Sequence, residues 1–199
     1  MLHSNRTIRL LIATTLLFYG ENVFAQHYYF RHYQVENGLP NNTVNCSVQD
    51  SSGFMWFGTK EGLCRFDGYR FKKIPHSRLG AGLPGNEFIQ CLYLDKEGRL
   101  WTGSNRGVFY YDEKKEELLP LIDSIGGVIS VVKDNNNQLW FTNAFNLFRY
   151  NFATNKLDCY PSSTYFQSRQ VGLSPDGKIL IATIDGFIEE YLPKTNSFR

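Results

Sequence analysis

The sequence is poor in the side chains that metal and covalent chemistry need. Its four histidines, His3, His27, His32 and His76, do not form a ligand set, and its four cysteines, Cys46, Cys64, Cys91 and Cys159, include no CxxC pair and no histidine companion at zinc spacing. It shows no nucleophile motif and no phosphate loop, and Gly103-Ser-Asn-Arg-Gly107 reads as a turn rather than a phosphate cradle. Net charge is equally scarce: 21 Lys and Arg face 19 Asp and Glu, which gives +2 with neutral histidines. A chain this close to neutral lacks the basic footprint of nucleic-acid binding. Long apolar runs are missing too. The run Leu10–Tyr19 covers ten residues, well short of the roughly 20 that span a bilayer. Together these gaps speak against a metalloenzyme, a nucleic-acid binder and a membrane-spanning helix, and no cofactor is expected.

What the chain has in quantity is aromatic residues and glycine: 16 Phe, 12 Tyr, 3 Trp and 17 Gly. That composition suits sheet with frequent turns. At the N-terminus Arg6 and Arg9 precede the apolar run, and Val23-Phe24-Ala25 offers a peptidase its small residues. Residues 1–25 therefore read as a secretory signal cut before Gln26. Removing Arg6, Arg9 and Glu21 leaves 19 basic and 18 acidic side chains, so the exported part is nearly neutral. An oxidising compartment permits disulfides, and Cys46 and Cys91 occupy matching places before two tryptophans. Equivalent strands of neighbouring sheets lie too far apart for disulfide geometry, so buried free thiols are expected.

An internal repeat is the strongest signal. Asp50-Ser-Ser-Gly53-Phe-Met-Trp56-Phe-Gly58 returns as Asp95-Lys-Glu-Gly98-Arg-Leu-Trp101-Thr-Gly103 and as Asp134-Asn-Asn-Asn137-Gln-Leu-Trp140. A weaker copy, Ser174-Pro-Asp-Gly177-Lys-Ile-Leu180, lacks both the leading Asp and the Trp. Trp56, Trp101, Trp140 and Leu180 are separated by 45, 39 and 40 residues, the period of a propeller blade. The expected fold is all-β, a β-propeller of four-stranded blades with four repeats present, forming an incomplete arc of a larger, seven-bladed ring. The Asp-x-x-Gly turn is expected to be capped by its own Asp, which makes acid catalysis by Asp50, Asp95 and Asp134 the less economical reading. The tryptophans read as packing between blades, since one four-stranded sheet cannot bury both faces alone. Gly62, Gly107 and Gly186, with Asn146 in the same role, are expected where a tight bend demands left-handed backbone.

The spacing divides the chain into a signal peptide over 1–25, an outer closing strand and lead-in loop over 26–43, and blades over about 44–87, 88–127, 128–167 and 168–199. Tyr28–Gln34 has the look of an outer strand without a blade of its own, and Thr195–Arg199 resembles the start of another. In a propeller the loops joining strands two and three share a face with the connections between blades. That face would display Lys60, Glu61, Asn105, Arg106, Asn143, Phe145, Ile184 and Asp185, with His76, Arg78 and Phe166 from the longer connections. Such a mixture of polar and aromatic groups can hydrogen-bond sugar hydroxyls and stack on a ring. Propellers also host lyases and hydrolases, but a lyase site needs histidine and carboxylate near the central channel, and the repeat cores contain no histidine. An arc serving only as an interaction surface or structural fragment is the other alternative.

The stretch Val35-Glu-Asn-Gly38-Leu-Pro-Asn-Asn-Thr-Val44, followed by Gln49–Gly68, resembles the opening of the two-component regulator propeller family. The first two copies match that pattern closely, the third departs at Asn143 and Asn146, and the fourth lacks the Asp and the Trp. The resemblance implies the periplasmic sensor portion of a Bacteroidetes hybrid two-component histidine kinase, responding to glycan breakdown products and having no catalysis of its own. It further implies an oligosaccharide or other small periplasmic ligand, a receptor anchored in the inner membrane that supplies the kinase, and a second receptor chain as partner.

Overall fold

The computed structural model describes residues 29–77, 87–161, 168–195 and 197–199. Two compact units divide the chain, 1–32 and 33–199, and the architecture below is that of the second. The expected signal segment lies outside the described residues.

Among the described residues sixteen strands form four sheets, each an antiparallel meander of four. Blade one holds β1 (Val44–Gln49), β2 (Met55–Thr59), β3 (Gly62–Phe66) and β4 (Phe71–Lys73). Blade two holds β5 (Ile89–Leu94), β6 (Leu100–Ser104), β7 (Val108–Asp112) and β8 (Glu117–Ile122). Blade three comprises β9 (Ser130–Lys133), β10 (Gln138–Thr142), β11 (Asn146–Asn151) and β12 (Lys156–Pro161). Blade four comprises β13 (Ser168–Leu173), β14 (Ile179–Thr183), β15 (Ile188–Leu192) and the short β16 (Ser197–Phe198). The first strands of successive blades abut one another, so β1, β5, β9 and β13 line the inner side of a propeller arc. The only helical element among the described residues is a three-residue 3-10 turn, Val35–Asn37, ahead of β1.

One carboxylate organises each of the first three blades. Asp50 Oδ1 accepts the Ser52 and Phe54 N–H groups at 2.9 and 3.0 Å, while its Oδ2 accepts the Trp56 indole N–H at 2.7 Å. Asp95 does the same with Glu97, Arg99 and Trp101, and Asp134 with Asn136, Gln138 and Trp140. The Asp caps its turn, as expected, and also satisfies the one polar atom of a buried tryptophan, which the sequence did not reveal. In blade four Ser174 replaces the Asp and Leu180 the Trp. The single Ser174 hydroxyl still accepts the Lys178 N–H at 2.9 Å, and Leu180 has no N–H to satisfy. Both replacements therefore belong together. Burial works against the ionised Asp95, but the Trp101 indole, the Arg99 N–H and Lys133 outweigh it and hold its pKa below the usual carboxylate value.

Each tryptophan leans on the next blade. Trp56 meets Tyr111 at 4.7 Å between ring centres, Trp101 meets Phe152 at 5.6 Å, and Trp140 meets Tyr191 at 5.1 Å. Arg65, Arg99 and Arg149 cover the tryptophans of their own blades as cation–π partners. Glycine permits the close approach beside them. A Cβ on Gly58 would fall 2.6 Å from Ile89 and one on Gly103 2.8 Å from Val128, both on the following blade. The blade-four end of the arc shows the same contact unmade. Ile188 stands opposite Ala182 where Leu63, Val108 and Leu147 stand opposite the matching residues of blades one to three. Those three are wholly buried, whereas Ile188 is 72% exposed, so the arc is open at blade four.

Three expectations require correction. Gly62 and Gly186 have positive φ, of 113° and 86°, but Gly107 and Asn146 do not. Gly107 is needed for space instead, because a Cβ there would lie 2.1 Å from the Ile122 carbonyl oxygen. Left-handed asparagines occur instead at Asn155, φ 52°, and at Asn137, φ 58°, the latter standing where the other Asp-x-x-Gly turns have glycine. The outer strand expected over Tyr28–Gln34 is not formed by its described residues 29–34, and Tyr33 instead sets its ring on Phe66 and Phe71 at the outer side of blade one. All four cysteines are free, but only Cys64 is buried, Cys46 and Cys91 being partly buried and Cys159 exposed. Burial pushes the Cys46 thiol up to about 11 and those of Cys64 and Cys91 to about 12.

Replacement of Gly107 by Ala forces the methyl onto a backbone carbonyl and is expected to cost about 1–3 kcal/mol in urea unfolding. Gly172→Ala, with nothing within 4 Å of the new Cβ and no positive φ, is expected to stay within about 0.5 kcal/mol of the parent. Equal losses in the two variants would contradict the close-approach account.

Candidate functional site

In an antiparallel meander the turns joining strands one to two and three to four lie at one end, and the loops joining strands two to three lie at the other. The second end also carries the connections between blades. Each of its loops is tied by a side chain from the end of the second strand. Thr59 Oγ1 accepts the Glu61 N–H, Ser104 Oγ accepts that of Arg106, Asn143 Oδ1 accepts those of Phe145 and Asn146, and Thr183 Oγ1 accepts that of Phe187. Short polar side chains can close a turn in this way without a special backbone residue. In blade three Asn143 therefore does the work of Ser104 in blade two. The loops also stitch neighbouring connections. Lys60 N–H donates to Thr43, Asn105 N–H to Phe88, and Ile125 N–H to Arg106.

The expected contact residues divide into two groups. Lys60, Asn105, Phe145 and Asp185 are exposed, and their side chains have no hydrogen-bond or ionic partner among the described residues. Ile184 is exposed beside them. Phe145 and Ile184 present apolar surface while the other three present an ammonium, an amide and a carboxylate. The second group is already engaged. Glu61 accepts a hydrogen bond from Asn41, and Asn143 donates to the Ile125 carbonyl. Arg106 is the most committed. Its Nη2 and Nε lie 2.6 and 3.1 Å from the two oxygens of Asp123, and its Nη1 lies 3.4 Å from Glu87. Glu87 precedes blade two and Asp123 follows it, so one guanidinium clasps the connections on either side of the blade. Arg78 and Phe166 lie outside the described residues.

His76 completes this cluster. Its Nε2 lies 2.8 Å from Glu87 Oε2, though the ring N–H is not aligned on that oxygen, and its ring meets Phe109 edge-on at 5.0 Å. Glu87 and Asp123 were not legible as partners of Arg106, since 19 and 17 residues separate them from it and no motif marks either. Among the described residues no group of three or more His, Cys, Asp or Glu could hold a metal ion. The structural residues of the repeat, Trp56, Trp101, Trp140 and Leu180, stay within the blade stack and contribute nothing to the loop face.

Four stacked meanders with an open end and a variable loop face define a β-propeller segment. Residues 38–61 and 82–106 match the two-component regulator propeller family. No curated protein matches the sequence. Among solved structures, the extracellular domain of the hybrid two-component system BT3049 of B. thetaiotaomicron is 24% identical with a TM-score of 0.69, over 85% of this chain and 26% of that one. The extracellular domain of BT4673 from the same organism is 22% identical with a TM-score of 0.65, over 79% and 21%. Virginiamycin B lyase from Staphylococcus aureus shares the fold at 15% identity and a TM-score of 0.63, over 81% and 56%. The chain thus spans about a fifth to a quarter of the length of the two extracellular domains, and likeness at these identities speaks for the fold.

Arg106→Ala leaves the buried Glu87 and the partly buried Asp123 without their cation and is expected to destabilise the chain by about 1–3 kcal/mol. Lys60→Ala on the same face is expected to change stability by less than about 0.5 kcal/mol. Urea unfolding followed by tryptophan fluorescence checks both, and an Arg106→Ala variant as stable as the parent would show that the clasp carries no load.

Proposed function

We propose that this chain is the ligand-input segment of a periplasmic two-component receptor, exported by residues 1–25, with the strand two to three loops as its recognition face and no catalysis of its own. The observation that carries the reading is the regulator-propeller match over blades one and two, 38–61 and 82–106, on a fold shared with two extracellular domains of hybrid two-component systems. A scaffold built from near-identical turns leaves its loops free to differ, which is where a sensor places its specificity. Lys60, Asn105 and Asp185 supply donors and acceptors, and Phe145 supplies a ring face, the combination that a carbohydrate with its hydroxyls and apolar ring face would use. Oligosaccharides released from complex polysaccharides are the proposed ligands. The remainder of a membrane-anchored sensor kinase, and a second receptor chain, are the proposed partners.

Calorimetric titration of the full chain with a panel of size-defined oligosaccharides tests this reading. At least one is expected to bind saturably, and Phe145→Ala combined with Lys60→Ala is expected to weaken it tenfold or more while leaving the melting temperature unchanged. Absence of binding across the panel, or binding indifferent to the double substitution, would overturn the assignment of the loop face.

A further inference from the structure

The opposite end of blades one and two contains a cleft of about 440 Å3, within the range of small-molecule sites. Its walls are the Asp50–Ser52 turn of blade one, Glu97–Leu100 of blade two, and Tyr110–Lys114 of the hairpin joining β7 to β8, with Trp56 and Leu94 in the wall. Four carboxylates and two cations stand around it, Asp50, Glu97, Asp112 and Glu113 against Arg99 and Lys114. The repeat supplies an internal comparison that says what such a cleft accepts. Lys133 and Leu94 hold the same place in consecutive blades, each paired with the residue just before the second-strand core position, Leu139 and Leu100.

At the junction of blades two and three the Lys133 ammonium reaches back to the preceding blade. It lies 3.3 Å from Asp95 Oδ2, the oxygen that also receives the Trp101 indole, and 2.8 Å from Glu97 Oε2. It also sits 5.9 Å from the centre of the Phe152 ring. At the junction of blades one and two the corresponding acceptor is Asp50 Oδ2, which among the described residues takes only the Trp56 indole. The corresponding lysine is Leu94, which has no charge to offer and packs instead with the apolar cluster around Trp56. Asp50, Trp56 and Leu94 all line the cleft. One blade junction therefore carries its own ammonium on the carboxylate, and among the described residues its neighbour keeps the carboxylate and the aromatic wall with no ammonium on Asp50, as does the junction of blades three and four, where Leu173 holds the lysine's place on the side of Asp134.

We infer that this cleft binds a small ligand through a primary ammonium group, which takes the place on Asp50 that Lys133 takes on Asp95. The body of the ligand lies against Tyr110 and Tyr111, and Ser52 and Glu113 are within the same walls to meet its polar groups. An amino sugar and a lysyl side chain both present this chemistry. The site lies at the far end of the blades from the loop face and does not depend on the function proposed for that face.

The test is calorimetric titration of the full chain with D-glucosamine and with Nα-acetyl-lysine amide, each beside its N-acetylated, uncharged counterpart. At least one amine is expected to bind tenfold or more tightly than its counterpart, and which one does so identifies the source. Leu94→Lys places an internal ammonium where the ligand's would go and is expected to weaken binding tenfold or more. Glu113→Gln, on an exposed hairpin, is expected to weaken it about threefold and serves where Leu94→Lys fails to fold. Equal affinity for charged and uncharged forms, no binding of either amine, or binding unchanged in both variants would overturn the site. The Phe145 and Lys60 response at the loop face is expected to survive Leu94→Lys, so failure at one end is distinguishable from failure at the other.

Discussion

A tryptophan can be buried between two sheets only if its indole N–H finds an acceptor, and in this chain that acceptor is the carboxylate that also shapes the preceding turn. The aspartate uses one oxygen for two backbone N–H groups and the other for the indole, so turn conformation and blade packing are fixed by one side chain. An unmet indole N–H in such a place would cost about 1–3 kcal/mol, a large fraction of what a small domain has in reserve. The clasp sets the position of the tryptophan, the tryptophan sets the distance to the next blade, and glycines 58 and 103 let the backbones approach. Blade four tests the logic within the molecule, because serine and leucine replace aspartate and tryptophan together and the turn still closes.

With the stack fixed by these contacts, the two ends of each blade are free for different work. The loop end is closed by a short polar side chain in every blade, Thr59, Ser104, Asn143 and Thr183, and its exposed side chains vary from blade to blade. Arg106 shows how easily a residue there turns from recognition to construction: it projects from a loop of the recognition face but its charge is taken up by Glu87 and Asp123. The turn end repeats more strictly, and the junction of blades one and two, where Leu94 stands in the place that Lys133 takes one blade further on, coincides with a cleft. A repeat makes such departures readable, since each blade is a control for its neighbours.

Much of the architecture could be read from the sequence. The Asp-x-x-Gly turns, the tryptophan period and the alternating strands each reflect local backbone and burial rules, and they placed all four blades. What sequence could not supply were requirements imposed by distant neighbours. Gly107 and Gly62 look alike in the sequence, yet one answers to the Ile122 carbonyl and the other to its own φ. Tyr28–Gln34 carries the aromatic content of a strand, but Tyr33 has a ready seat on Phe66 and Phe71 and residues 29–34 do not pair. Of the candidate contacts, exposure at Lys60, Asn105, Phe145 and Asp185 followed from loop position alone, whereas the engagement of Arg106 depended on carboxylates in two separate connections.

The clasp is measured most directly by a double-mutant cycle in blade three, with Asp134→Ser, Trp140→Leu and the pair together, each followed by urea unfolding. Asp134→Ser alone leaves an indole N–H without its acceptor, and Trp140→Leu alone removes the ring that needs one. If aspartate and tryptophan act as one unit, the double variant is less destabilised than the sum of the singles by about 1 kcal/mol or more, as in blade four, where both replacements occur together. Additive losses would contradict the account, leaving the carboxylate as a turn cap and the tryptophan as independent packing.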